Sequence, residues 1–293
     1  ERTILERRGV VNTQELSNHF VICGWKKEMS SILFHILDFN KGLDGSKLIL
    51  VNNAQESMIE NLLGTPRLEK VKVLRGDFFV ETNLRRVAPD KAQKILILAD
   101  ATPDASGRVP TIVEADAKTI MTAMILSNIA RGVPVVAEIL DSSMDQYLKL
   151  ANVQEIVYSR EYSRMLLALS SAGVGLTNIF HDLLDPHSGN YLRTVEIPEN
   201  LKLLTYKDLN EYFSQLPKKT HLVGVLENSG NIHKAKEYAI QKAQQTPNIE
   251  DLVHNLVKVK HMKYNMPRFN PGNEYILQEG TMAIVIEEVG SHV

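Results

Sequence analysis

The chain has 293 residues, with 33 Lys and Arg against 35 Asp and Glu for a formal net charge of -2, and 44% of it is hydrophobic. That length accommodates about two globular domains, and a charge so close to zero lacks the basic footprint of a nucleic-acid-binding protein, so nucleic acid is excluded as a partner.

Residues 1–18 begin as a charged helical pattern that Gly9 interrupts, and they are read as a linker. The chain opens on Glu1, with Arg2, Arg7 and Arg8 and no signal-peptide pattern, and is read as a piece of something longer. Val21 to Cys23 is a short apolar run that ends at Gly24, after which Ser30, Ile32, Leu33, Phe34, Ile36 and Leu37 take up helical spacing. Strand, tight turn and helix start, in that order, are where an α/β protein holds an anionic phosphate on backbone N–H groups. The glycine fingerprint is incomplete: Lys26 and Met29 stand where Gly-x-Gly-x-x-Gly has its second and third glycines, and a plain βα turn without ligand is the alternative. Cys23, the one cysteine, lies inside the first strand and reads as a small buried hydrophobe in a reducing compartment.

Strand and helix then alternate. Leu48 to Val51 is the second strand, Met58 to Leu63 lies within a helix, Val71 to Leu74 is the third strand, and Leu84 to Val87 is a short helix. Ile95 to Leu98 is the fourth strand, Ala117 to Arg131 a long helix, Val135 to Ala137 the fifth strand, Tyr147 to Leu150 part of another helix, and Ile156-Val157 a short sixth strand. This order predicts a doubly wound parallel sheet, whose ligands lie beyond the carboxyl ends of the strands. Those ends are polar: Gly24, then Asn52-Asn53, Gly76-Asp77, Asp100 with Thr102, and Glu138. Each alone is equally a loop residue solvating a strand end, but together they form a rim. Asn52 stands where a dinucleotide enzyme carries the carboxylate that grips the ribose. The loop Pro103 to Pro110 beside the rim is either a lid or decoration.

Past the sheet, Tyr162, Met165, Leu166 and Leu169 make an apolar stripe, Gly173 and Gly175 break it, and Ile179, Phe180, Leu183 and Leu184 resume it. The charge-free stretch Met165 to Phe180 is shorter than the roughly 20 residues of a membrane helix. Two apolar helices about a glycine hinge read as a crossover that buries itself against another subunit, or as a packing pair within one chain. A smaller unit follows: a strand over Leu192 to Ile197, a helix over Lys207 to Phe213, a strand over His221 to Leu226 and a polar helical insertion over Ala235 to Ile249. Tyr275-Ile276-Leu277, a turn at Gly280 and the strand Met282 to Ile286 close it. No metal-ligand spacing and no nucleophile elbow occurs, so binding without chemistry is the stronger reading.

His19 through Trp25, Gly76-Asp77, Ala137-Glu138 and the tail from Asn270-Pro271 through Gly280 to Ile286 resemble the RCK (KTN) domains that regulate potassium channels and transporters, over residues 19–288. The resemblance implies a Rossmann-like doubly wound parallel sheet as N-lobe (19–158), crossover helices that pair subunits (159–187) and a small α+β C-terminal lobe (188–290), with 1–18 as the tether from a pore helix. It implies NAD or another adenine nucleotide held by Gly24, Trp25, Lys26, Lys27, Asn52, Asn53, Gly76, Asp77, Phe78, Asp100, Thr102 and Glu138, with Lys27 where many members carry a phosphate-binding arginine. It implies calcium at Asp77, Asp100 and Glu138; Leu140 stands where calcium-gated members have a further carboxylate. The implied partners are other RCK subunits, as a homodimer within a ring of eight, and a membrane pore domain upstream of residue 1, which makes the chain a non-enzymatic cytoplasmic part of an inner-membrane potassium channel. A soluble regulatory subunit of a Trk/Ktr-type transporter is the second reading, which the basic linker disfavours. A nicotinamide-dependent oxidoreductase is the third, which the missing catalytic set disfavours.

Overall fold

A computed structural model describes residues 16–103, 107–185, 187–217, 219–229, 240–241, 248–260 and 264–288. The chain divides into two units, Glu1–Ala168 and Leu169–Val293.

The first unit holds β1 (Phe20–Cys23), β2 (Leu48–Asn52), β3 (Lys72–Arg75), β4 (Lys94–Ile97), β5 (Val135–Ile139) and β6 (Glu155–Tyr158). They form one six-stranded sheet in the order β3-β2-β1-β4-β5-β6, parallel throughout. Every residue of β1 and β2 is buried, as central parallel strands are when both faces are covered. Alternation along the strands divides the core in two. Val21, Cys23, Ile49, Val51, Ile95 and Ile97 belong to one cluster, and Phe20, Ile22, Leu48 and Leu50 to the other. On the second face lie α1 (Met29–Phe39) and α2 (Glu56–Leu63), through Met29, Leu33, Leu37, Ile59 and Leu62. On the first lie α3 (Glu81–Arg85), α4 (Ile112–Ile129) and α5 (Asp145–Leu150), through Leu84, Ile120, Leu126 and Leu148. Burial pushes the Cys23 thiol up to about 12, so it stays a neutral apolar filler.

Helix boundaries differ from the sequence reading for local reasons. α4 starts at Ile112 and not at Ala117, because Thr111 and Glu114 form a reciprocal capping box: the Glu114 N–H donates to Thr111 Oγ1 at 3.2 Å and the Thr111 N–H to Glu114 Oε2 at 2.7 Å. α3 ends at Arg85, short of Val87, since Ala88 turns left-handed at φ 45° ahead of Pro89 and a residue before proline is barred from the helical region. Within the stretch read as a linker, Leu16 is buried in the first core, Lys47 Nζ donates to the Ser17 carbonyl at 3.1 Å, and the Asn18 N–H to the Lys91 carbonyl at 3.0 Å.

His19 anchors this entry. Its Nε2 lies 2.8 Å from the Val87 carbonyl, so Nε2 carries the proton and donates, and Nδ1 is buried without a partner. Burial, with Lys47 and Lys72 adding to it and Asp90 opposing, holds the imidazole below its ordinary value. The unfolded chain therefore takes up this proton first, so the contribution is complete above about pH 6.5 and is lost as pH falls through the folded value. The midpoint of urea unfolding should fall between about pH 7 and about pH 5. His19→Gln, which still donates to Val87, should flatten that slope, and an unchanged slope would remove His19 from the explanation.

α6 (Ser159–Ser170) and α7 (Leu176–Leu184) flank the break at Gly173 and Gly175, where Gly175 takes φ +81°. Tyr162, Met165 and Leu167 of α6 are exposed, as are Ile179, Phe180 and Leu184 of α7. The second unit is a four-stranded antiparallel sheet in the order β7-β10-β8-β9, made of β7 (Asn190–Glu196), β8 (Thr220–Glu227), β9 (Met266–Phe269) and β10 (Met282–Glu288). α8 (Tyr206–Ser214) covers one face through Tyr206, Leu209 and Phe213, against Val225, Ala283 and Val285. Tyr275–Leu277 contributes an isolated bridge from Ile276 to Thr205. α9 (Ile249–Lys260) begins where the insertion read over Ala235 to Ile249 ends, and most of that insertion lies outside the described residues. No helix among the described residues is long and apolar enough to cross a membrane.

Candidate functional site

The strand order reverses between β1 and β4, and a crevice opens there beyond the carboxyl ends of the strands. Gly24 makes the turn at φ +93°, and a Cβ on it would stand 2.9 Å from the Leu98 carbonyl oxygen and 3.4 Å from Asp100 Cβ. Only glycine meets both demands. The turn is tied down on both sides: the Gly24 N–H donates to the Val51 carbonyl at 2.9 Å and the Trp25 N–H to Asp100 Oδ2 at 3.1 Å. The other Asp100 oxygen accepts the Thr102 N–H at 2.9 Å and the Thr102 hydroxyl.

Lys26 reaches across the crevice. Its ammonium lies 2.9 Å and 2.8 Å from the two carboxylate oxygens of Glu138, and Glu138 Oε2 also accepts the Ala99 N–H at 3.0 Å. Because β4 lies between β1 and β5, this pair spans the end of β4. Asp116 in the second turn of α4 steadies the far side: fully buried, it accepts the Leu140 and Asp141 N–H groups, each at 2.9 Å, just past Glu138. Burial pushes its carboxyl up, and those two donors oppose the shift. Reading the sequence missed Asp116; the available signal was a carboxylate between Ala115 and Ala117, at the start of a long apolar helical span.

On the other side of the crevice, Asn52 is fully buried. Its Oδ1 accepts the Ala54 N–H at 3.0 Å and its Nδ2 has no partner. The exposed Asn53 amide lies 3.4 Å from Asp77 Oδ1. Gly76 packs against Asn83, whose amide holds the Asp77 carbonyl at 3.0 Å. Lys27 is exposed. Two expected rim residues belong to the core: Phe78 is buried in the first cluster, edge-to-face with Phe79, and Trp25 in the second, its indole N–H without a partner.

The carboxylates expected to hold calcium do not converge. Among the described residues no group of three or more His, Cys, Asp or Glu is placed to hold a metal ion. Asp100 is committed to two backbone N–H groups and Glu138 to Lys26 and Ala99, while Asp77 faces Asn53. A cation here would have to displace those donors.

A parallel sheet of this order with a polar rim at its switch point defines a Rossmann-like binding unit. Residues 15–137 match the family model described as the calcium-activated potassium channel slowpoke-like RCK domain. The chain is 24% identical over 204 residues to the calcium-gated potassium channel TvoK of Thermoplasma volcanium, covering 70% of this chain and 54% of that protein. It is 24% identical over 176 residues to the ion channel CASTOR of Lotus japonicus, covering 57% of this chain and 20% of that one. Its fold is similar to that of the human SLO3 gating ring, with a TM-score of 0.57 and 12% identity, covering 93% of this chain and 44% of that one. Residues 15–137 of the first unit are thus similar to an RCK domain, and the chain spans about half or less of the length of the relatives it matches.

Proposed function

We propose that this chain is the ligand-sensing gating module of a potassium channel, binding an adenine nucleotide at the rim and passing its presence to a pore domain that precedes residue 1. The observation that carries the reading is the Gly24 turn, fixed by Val51 and Asp100 at the head of α1. The N-cap residue of α1 is Glu28, whose side chain makes no capping hydrogen bond, so the N–H groups at this helix end remain for an anionic phosphate, with Lys27 beside them. The buried donor Asn52 Nδ2 lacks an acceptor. A buried donor left unpaired costs about 1–3 kcal/mol, which a ligand oxygen would relieve. The module is a regulator and not an enzyme: hydride transfer needs a free acid or base beside the nicotinamide, whereas Asp100 and Glu138 are committed.

In this reading the exposed apolar faces of α6 and α7 pair with a second copy, and such pairs build a ring of eight on the cytoplasmic side of the membrane, with residues 1–18 as the tether. Calcium, which gates TvoK according to its name, is a second ligand, reaching Glu138 and Asp100 after Lys26 withdraws. Two carboxylates fall short of the six to eight oxygens calcium takes, so water or nucleotide phosphate supplies the rest.

Titration calorimetry with ADP, ATP and NAD tests the nucleotide. Heat should be measured with at least one of them, and Lys27→Ala should weaken binding by about tenfold or more, as loss of a charge-assisted hydrogen bond of about 1.5–3 kcal/mol requires. No heat with any of the three would end the proposal.

A further inference from the structure

The two halves of the rim are unlike. In a doubly wound sheet the strands on either side of the reversal each hold one mononucleotide, and a dinucleotide lies across both. On the β1-β2-β3 side the polar groups are available: Lys27 and Asn53 are exposed, Asp77 has the Asn53 amide as its side-chain partner at 3.4 Å, and Asn52 Nδ2 is unpaired.

On the β4-β5 side the polar groups are spent. Glu138 holds Lys26 with both oxygens and the Ala99 N–H with one, and Asp100 holds Trp25 and Thr102. The Lys26–Glu138 pair crosses the end of β4, with its side chains only 24% and 13% exposed. Lys26 also fills the place where a dinucleotide fingerprint has its second glycine, whose missing side chain lets the pyrophosphate approach. A cavity of about 390 Å³ lies beside the pair on the α1 face of the sheet, lined by Ile32, Leu96, Leu98, Val136 and Val157 with Lys26, Glu28 and Glu138. A second nucleoside laid across the end of β4 meets this pair, and parting it leaves Glu138 with one backbone donor.

We infer that the site takes a mononucleotide, one adenosine with its phosphates, and that the Lys26–Glu138 pair excludes the second half of a dinucleotide. The inference rests on the nucleotide reading above and narrows it.

Calorimetry of the 293-residue chain with ADP and with NAD, side by side, is the test. In the wild type the dissociation constant for NAD should exceed that for ADP by about tenfold or more. Glu138→Gln keeps an oxygen for the Ala99 N–H but loses the charge that holds Lys26, so the ratio of the two constants should fall by about tenfold. If circular dichroism shows that variant unfolded, Lys26→Ala reports the same ratio. NAD binding as tightly as ADP in the wild type, or a ratio unchanged in a folded variant, overturns the inference and leaves the nucleotide reading standing. Binding of neither nucleotide overturns both.

Discussion

Gly24→Val is expected to destabilise the first unit by about 2–6 kcal/mol and to abolish nucleotide binding. Two separate costs add. A branched residue held at φ +93° pays about 1–3 kcal/mol of backbone strain. Its Cβ would also stand 2.9 Å from the Leu98 carbonyl oxygen, a backbone atom that moves only with β4, and overpacking of this kind costs about 1–3 kcal/mol more. Against a typical total of about 5–15 kcal/mol this is a large share. Gly42 provides the control, because it takes φ +88° with nothing within 4 Å of a would-be Cβ. Gly42→Val should show the strain alone. Urea unfolding followed by circular dichroism compares the two, and equal losses would mean that the approach of the Gly24 turn to β4 carries no energy.

The parts of the fold that were legible in the sequence are those written locally. β1, and β2 up to Asn52, are unbroken apolar runs because helices cover both their faces, as buried parallel strands are. β9 was hidden by Pro267, which an edge strand tolerates but a sequence reading takes as a break. The rim was legible as a set of polar strand ends, since the fold class alone puts those ends side by side. What each residue does there was not. Asn52 and Asn53 are adjacent and alike, yet one is buried against its own turn and the other faces solvent. Trp25 and Phe78 each follow a rim glycine closely and then turn inward to opposite cores. Lys26 and Glu138 are 112 residues apart, and their pairing follows from strand order, which no local spacing encodes. The same holds for Asp116 and the Leu140–Asp141 turn it supports.

Under the proposed function, ligand at this rim moves a pore. Shifting a pore from 1:99 to 99:1 takes about 5.5 kcal/mol of differential affinity, which the proposed ring of eight sites would supply at about 0.7 kcal/mol each. Equal binding to both states would supply nothing, however tight. Single-channel open probability of the full-length protein, recorded with and without saturating ADP on the side that carries this domain, tests it most directly. Open probability should change by at least about tenfold, with the response displaced to higher ADP in Lys27→Ala. Unaltered open probability at an ADP concentration that calorimetry shows to be saturating would contradict it.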